Sequence, residues 1–432
     1  MHTILIENGT VLTAEGWTDP GYVWINGDRI TAVQPGKAPP DLRAQAGELI
    51  SAQHCAVLPG LVNAHTHLSQ TFMRGLAGGR PLLPWLKELI WPLQGALSPE
   101  DLRLSTLLGL VENLTCGVTR VVNHHKVAPT HAHTDAVCEA SLSVGLRVTL
   151  ARSWTDLGTN AESPDLVTSD LRRLFAQWRD LDRLTIANGP LALWRCSAST
   201  LQRTHEIAQK NGSFTHFHVS ESQDELNMSL DLTGLRPVTW LDSIEVLGPS
   251  TQVVHAVWVD EEEIGLLAQA GAPVIHCPVS NAILGSGIAP LAELLSQGVS
   301  VRLGTDGPAS NDTQDMWETI KTAVNLTRAR TLDATALPPP AALRLAIDKN
   351  ALSPDCPADL ILVNLNHPRA MPVHDVDSAL VLSTHGGDVD TVIVGGQILM
   401  RNRRVLSLDV PTLLEQCRHA VKNLRQRADI VA

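Results

Sequence analysis

The sequence predicts an α/β chain: a (β/α)8 TIM barrel carrying a small β-sandwich domain built from both chain termini. Three observations predict it. Short apolar runs alternate with helical patterns through the middle of the chain. Eight such runs can be marked, and eight favour closure over an open doubly wound sheet. Hairpin patterns are confined to the two ends, neither of which could build a sizeable core alone.

The N-terminal part begins with Ile4-Leu5-Ile6, Asn8-Gly9 and Val11-Leu12. Tyr22-Val23-Trp24-Ile25 follows, then Asn26-Gly27-Asp28 and Ile30 to Val33. Asn-Gly between apolar runs is a strong hairpin signal. Barrel strands are expected at 57–62, 118–122, 147–151, 185–188, 213–218, 252–255, 273–276 and 299–304. Helical patterns such as 101–114, 131–143 and 261–270 lie between them. Sheet patterns return at 358–363 and 389–400. Asp409 then caps a closing helix, with Pro411 in its first turn. The expected division is 1–56 for the first part of the β-sandwich, 57–354 for the metal-dependent barrel, and 355–432 for the second part and the closing helix.

Composition narrows the function. The chain has 432 residues, of which 44% are hydrophobic and 18% charged, enough for a large core. A net charge of −12, from 33 basic and 45 acidic residues, argues against a nucleic-acid binder but leaves a base-sized ligand open. Seven scattered cysteines without a CxxC pair point to a reducing, cytoplasmic setting. No run is apolar enough to span a bilayer, so no membrane partner is expected. The first residues lack the basic-then-apolar pattern of a targeting segment.

The chemistry lies at five expected strand ends. His65-Thr66-His67 closes the first strand, and residues two apart in an extended segment share a face. His216-Phe217-His218 with Glu221 follows the fifth, and His255 the sixth. His276 to Asn281 follows the seventh, and Asp306 the eighth. In a barrel these ends converge on one mouth. Imidazoles with a carboxylate suit one divalent metal ion, zinc first and ferrous iron second. Such an ion makes a nucleophile from water at neutral pH. The expected ligands are His65, His67, His218 and Asp306, with His216 an equally spaced rival of His218. His255 is either a fifth ligand or a group beside the water. Glu221 is placed to move protons. Gln70, Trp85, Arg152 and Asn281 are the expected substrate contacts, while Lys126 is expected to be solvated. The fourth strand ends Ile186 to Pro190 without the lysine that bridged two-metal sites use, which favours one ion.

The stretches PGLVNAHTHLSQTFMRGL (59–76), LLPWLKELIWPL (82–93), HFHVSE (216–221), VVHAVWVD (253–260), HCPVSNAILGSGIAP (276–290) and LGTDGPASND (303–312) together resemble the amidohydrolase superfamily, in its aminohydrolase and chlorohydrolase group. The resemblance covers essentially the whole chain. It implies a mononuclear site with His65, His67, His218 and Asp306 as ligands. It also implies Glu221 as proton shuttle and His255 as the group polarising the water. The implied enzyme is a hydrolase of carbon–nitrogen bonds other than peptide bonds, a cyclic amidine deaminase. The implied partner is a small heterocyclic substrate, and a homo-oligomer is expected.

Substrate choice follows the departures from the pattern. Adenosine-type deaminases of the group resemble Gly-Pro-His after the fourth strand, where this chain has Gly189-Pro190-Leu191. The expectation is therefore a purine or pterin of the 8-oxoguanine or guanine type. The alternatives are S-adenosylhomocysteine or methylthioadenosine deamination, triazine dechlorination or amidohydrolysis, cyclic-amide hydrolysis, and a catalytically silent binding protein on the same fold.

Overall fold

The computed structural model describes residues 2–348 and 351–429. Eight parallel strands form one sheet in chain order: Leu61–Thr66, Val118–His125, Arg147–Trp154, Leu184–Pro190, Thr215–Val219, Thr251–His255, Val274–His276 and Val301–Leu303. The last strand returns to the first. Asp306 N–H donates to the His65 carbonyl at 2.9 Å. Gly304 makes this approach possible, because a Cβ there would meet the backbone nitrogen of His65 at 2.8 Å. The result is the TIM-type barrel that the eight apolar runs predict.

A second, mixed sheet holds both chain ends. Its N-terminal strands are Thr3–Thr13, Gly16–Asn26, Arg29–Pro35, Glu48–Ser51 and Cys55–Pro59. The C-terminal strand Leu360–Asn364 pairs antiparallel with Cys55–Pro59, Leu362 opposite Val57. The sheet wraps one core in which Ile4, Ile25, Ile30 and Val57 meet Leu360 and Ile393. The wrap is closed where Ile30 N–H donates to the Cys356 carbonyl at 3.0 Å.

The strand expected at 57–62 is therefore shared between two sheets. Residues to Pro59 pair in the terminal sheet, and the barrel strand starts at Leu61. Gly60 is the hinge. Its missing Cβ leaves room for Thr119, which a side chain would overlap. The closing helix is Val410–Arg427, and the Asp409 side chain accepts from Thr412 N–H as a cap should. It packs back on the barrel, with Cys417 and Leu424 buried in the main core. No helix among the described residues is long and apolar enough to cross a membrane.

Candidate metal centre and catalytic pocket

The barrel strands deliver three imidazoles to one point. Nitrogens of His65, His67 and His218 lie within 4.8 Å of one another, all three rings buried. Asp306 Oδ1 stands 3.3 Å from His65 Nε2 and 3.1 Å from His67 Nε2. His67 Nε2 and His218 Nε2 are 3.4 Å apart. Hydrogen bonds on the far side of each ring set which nitrogen faces inward. His67 Nδ1–H donates to the His124 carbonyl at 2.8 Å, and His218 Nδ1–H to the Leu191 carbonyl at 2.7 Å. His65 Nδ1 is 2.7 Å from His216 Nε2, whose own Nδ1–H reaches Gln252 Oε1 at 2.8 Å. Each ring thus presents an Nε2 lone pair to the same point.

This donor set fits a divalent metal. His65 Nε2 and Asp306 Oδ1 are buried without a hydrogen-bond partner among the described residues, a costly arrangement unless a cation satisfies both. Burial pushes the three imidazoles below their ordinary range, keeping them neutral and able to ligate. The second oxygen of Asp306 is held by two hydroxyls, Ser280 at 2.6 Å and Ser310 at 3.0 Å. That fixes the carboxylate plane and leaves Oδ1 aimed at the imidazoles. Asp306 itself has φ +61°, and His255 and Ser220 have +77° and +55°. Three strand ends in this mouth therefore adopt left-handed backbone, which costs energy for residues other than glycine and turns the chain sharply.

The rivals His216 and His218 differ in depth. Both share a strand face, but His218 sits at the rim while His216 lies one layer deeper, behind His65. His255 stands with its Nε2 3.6 Å from Glu221 Oε2, and its Nδ1–H donates to Asn281 Oδ1 at 2.9 Å. Burial raises the Glu221 carboxyl above its ordinary range, the His255 ring opposes this, and Asp306 adds to it. Glu221 N–H is held by Glu225 Oε2 at 2.7 Å, fixing the loop that carries the carboxyl.

A cavity opens over these groups. Gln70 and Trp85, expected as substrate contacts, both line it. Gln70 Oε1 and Trp85 Nε1 are buried and without protein partners among the described residues. The other two expected contacts are placed differently. Arg152 is not among the lining residues. Its guanidinium is buried against Glu162, at 2.6 Å, and Asp170, at 3.0 Å, so it is a structural ion pair. Asn281 faces His255 rather than the cavity and acts by orienting that ring. Lys126, expected to be solvated, lines the cavity instead. Sequence reasoning also passes over Trp91, Trp194 and Glu225 in the cavity wall. Their only signal is position on helical segments that follow barrel strands, which many structural residues share.

A parallel barrel with an imidazole–carboxylate cluster at its C-terminal mouth, a carboxyl beside it and a cavity above it defines a metal-dependent barrel hydrolase. The amidohydrolase family profile matches residues 56–399. The chain belongs to the amidohydrolase family, and it is a hydrolase acting on carbon–nitrogen bonds other than peptide bonds. It is 35% identical to a 5′-deoxyadenosine deaminase of Methanothermobacter thermautotrophicus, over 98% of this chain and 99% of that one. It is also 35% identical to a 5-methylthioadenosine/S-adenosylhomocysteine deaminase of Pelotomaculum thermopropionicum, over 99% of this chain and all of that one. The crystal structure of an adenosine deaminase from Xanthomonas campestris with bound zinc superposes with a TM-score of 0.91 at 30% identity, covering 98% of both chains.

Proposed function

We propose that this protein is a zinc-dependent hydrolytic deaminase of an aminopurine, of the 5′-substituted adenosine class, releasing ammonia. The observation that carries the reading is the convergence of His65, His67, His218 and Asp306 beneath a cavity that also holds Glu221 and His255. The two curated relatives favour adenosine-type substrates over the guanine-type ring expected from the sequence.

His65, His67, His218 and Asp306 would hold the ion, one per chain. When bound, it supplies Lewis acidity at a water molecule. The chain's own groups do the rest. Glu221, its carboxyl raised by burial, takes one proton from the attacking water and delivers one to the ring nitrogen beside the amino-bearing carbon. That protonation makes the carbon electrophilic enough for water to add. His255, oriented by Asn281, hydrogen-bonds the attacking oxygen. Asp306 Oδ1 accepts the remaining proton of that oxygen and passes it to the departing amine. Trp85 offers an aromatic face to the purine. The test is ammonia release by the zinc-loaded protein from 5′-deoxyadenosine, methylthioadenosine and S-adenosylhomocysteine, with the ring absorbance followed in parallel. Turnover of at least one supports the reading, and turnover of none contradicts it.

One observation favours a second reading. Leu191 lines the cavity where adenosine-type members of the group resemble a histidine, so an imidazole for the purine is missing there. Guanine and 8-oxoguanine therefore belong in the same panel.

A further inference from the structure

Lys126 follows directly on the second barrel strand, Val118–His125, and lines the cavity above the imidazole cluster. Among the described lining residues it is the one lysine or arginine. None of the three carboxylates that share the wall forms an ion pair or hydrogen bond with it among the described residues. Asp306 faces His65 and His67 and takes two serine hydroxyls. Glu225 takes Glu221 N–H, and Glu221 faces His255. The Asp306 and Glu221 charges act on Lys126 through space only. The remaining wall includes the apolar and aromatic side chains of Leu82, Trp85, Trp91, Leu191 and Trp194.

A substrate that fills this cavity strips water from the ammonium. An unpaired, desolvated ammonium is expensive, and no described acceptor lies within hydrogen-bond distance of this one. The offset has to come from the substrate. We propose that Lys126 is a specificity-determining residue that receives an anionic or carbonyl oxygen of the substrate. The substrate is then an aminopurine that bears such an oxygen, either as a ring oxo group or as a carboxylate on its side arm. A substrate with neither leaves the ammonium unpaired and is selected against, as sites built around a buried polar group reject analogues that lack its partner. This inference rests on the deaminase reading above.

The test uses the zinc-loaded full chain and its Lys126→Met and Lys126→Arg variants, each checked for an unchanged melting temperature. Three substrates are compared: S-adenosylhomocysteine, which carries a carboxylate; guanine, which carries a ring oxo group; and 5′-deoxyadenosine, which carries neither. Expected for Lys126→Met is a KM rise of about tenfold or more for the oxygen-bearing substrate, well beyond any shift for 5′-deoxyadenosine, as for a lost charge-assisted hydrogen bond. Lys126→Arg restores most of that difference. Which substrate responds separates the carboxylate from the oxo group. Calorimetric binding of the matching deaminated product follows the same order without turnover. An equal effect on all three substrates, no effect on any, or a wild type that prefers 5′-deoxyadenosine overturns the proposal. A wild type that releases no ammonia from any of them refutes the deaminase reading itself, and this proposal with it.

Discussion

His216 stands behind His65, with its Nε2 2.7 Å from His65 Nδ1 and its own Nδ1–H on Gln252 Oε1. The chain Gln252–His216–His65 leaves His65 Nε2 as a lone pair facing His67 and Asp306. That arrangement suits His216 to orienting a candidate ligand. His216→Ala is expected to weaken zinc retention about 10- to 100-fold, as losing a group that orients a ligand does. His218→Ala is expected to lose the ion outright. Metal content after graded chelator dialysis measures both. Equal loss in the two variants would show that His216 ligates directly.

Glu221→Gln separates proton transfer from metal binding. Glu221 lies outside the imidazole cluster, and its backbone is fixed by Glu225. The variant should keep its zinc and its melting temperature. Its kcat should fall about 100- to 10,000-fold, the range for a lost general acid–base group. Near wild-type turnover would remove Glu221 from the proton path.

The candidate cluster was legible in the sequence because each of its residues closes an apolar run, and a barrel brings such ends together whatever their separation in the chain. The choice between His216 and His218 was not legible. Side chains two apart share a face, and only the layering inside the barrel tells rim from interior. The first barrel strand was misplaced for a related reason. The apolar residues from Val57 to Val62 read as one strand, yet the chain leaves one sheet and enters the other at Gly60. Arg152 was misread because its partners, Glu162 and Asp170, come from the next loop and helix and form no local pattern. Nothing near Lys126 in the sequence reveals that its loop folds over the mouth.

Arg152 gives a prediction of stability rather than affinity. Arg152→Met leaves the buried Asp170 carboxylate with Arg173 and His131 and removes the partner of Glu162. Breaking one side of a buried ion pair costs about 3 kcal/mol or more. Denaturant unfolding should show that loss, while KM stays near the wild-type value. A raised KM with unchanged stability would return Arg152 to the substrate site.

Glu225 gives a prediction in pH. Burial raises its carboxyl from the ordinary 4.5 to about 8, the Glu221 N–H opposes this, and the Glu221 charge adds to it. The folded protein holds a proton that the unfolded chain releases, so this group makes stability fall as pH rises from about 4.5 to about 8. Glu225→Gln keeps an acceptor for Glu221 N–H and removes the penalty. The variant should melt higher than wild type at pH 9 and close to it at pH 5. A gap that does not widen with pH would contradict the raised carboxyl.

The most direct measurement of the central claim is ammonia release from 5′-substituted adenosines, made on one preparation before chelation, after chelation and after zinc is restored. The account predicts one ammonia per ring converted, loss of activity with the ion, and recovery when one zinc per chain returns. Turnover that persists in the fully chelated protein, or none from any aminopurine in a protein holding its zinc, would contradict it.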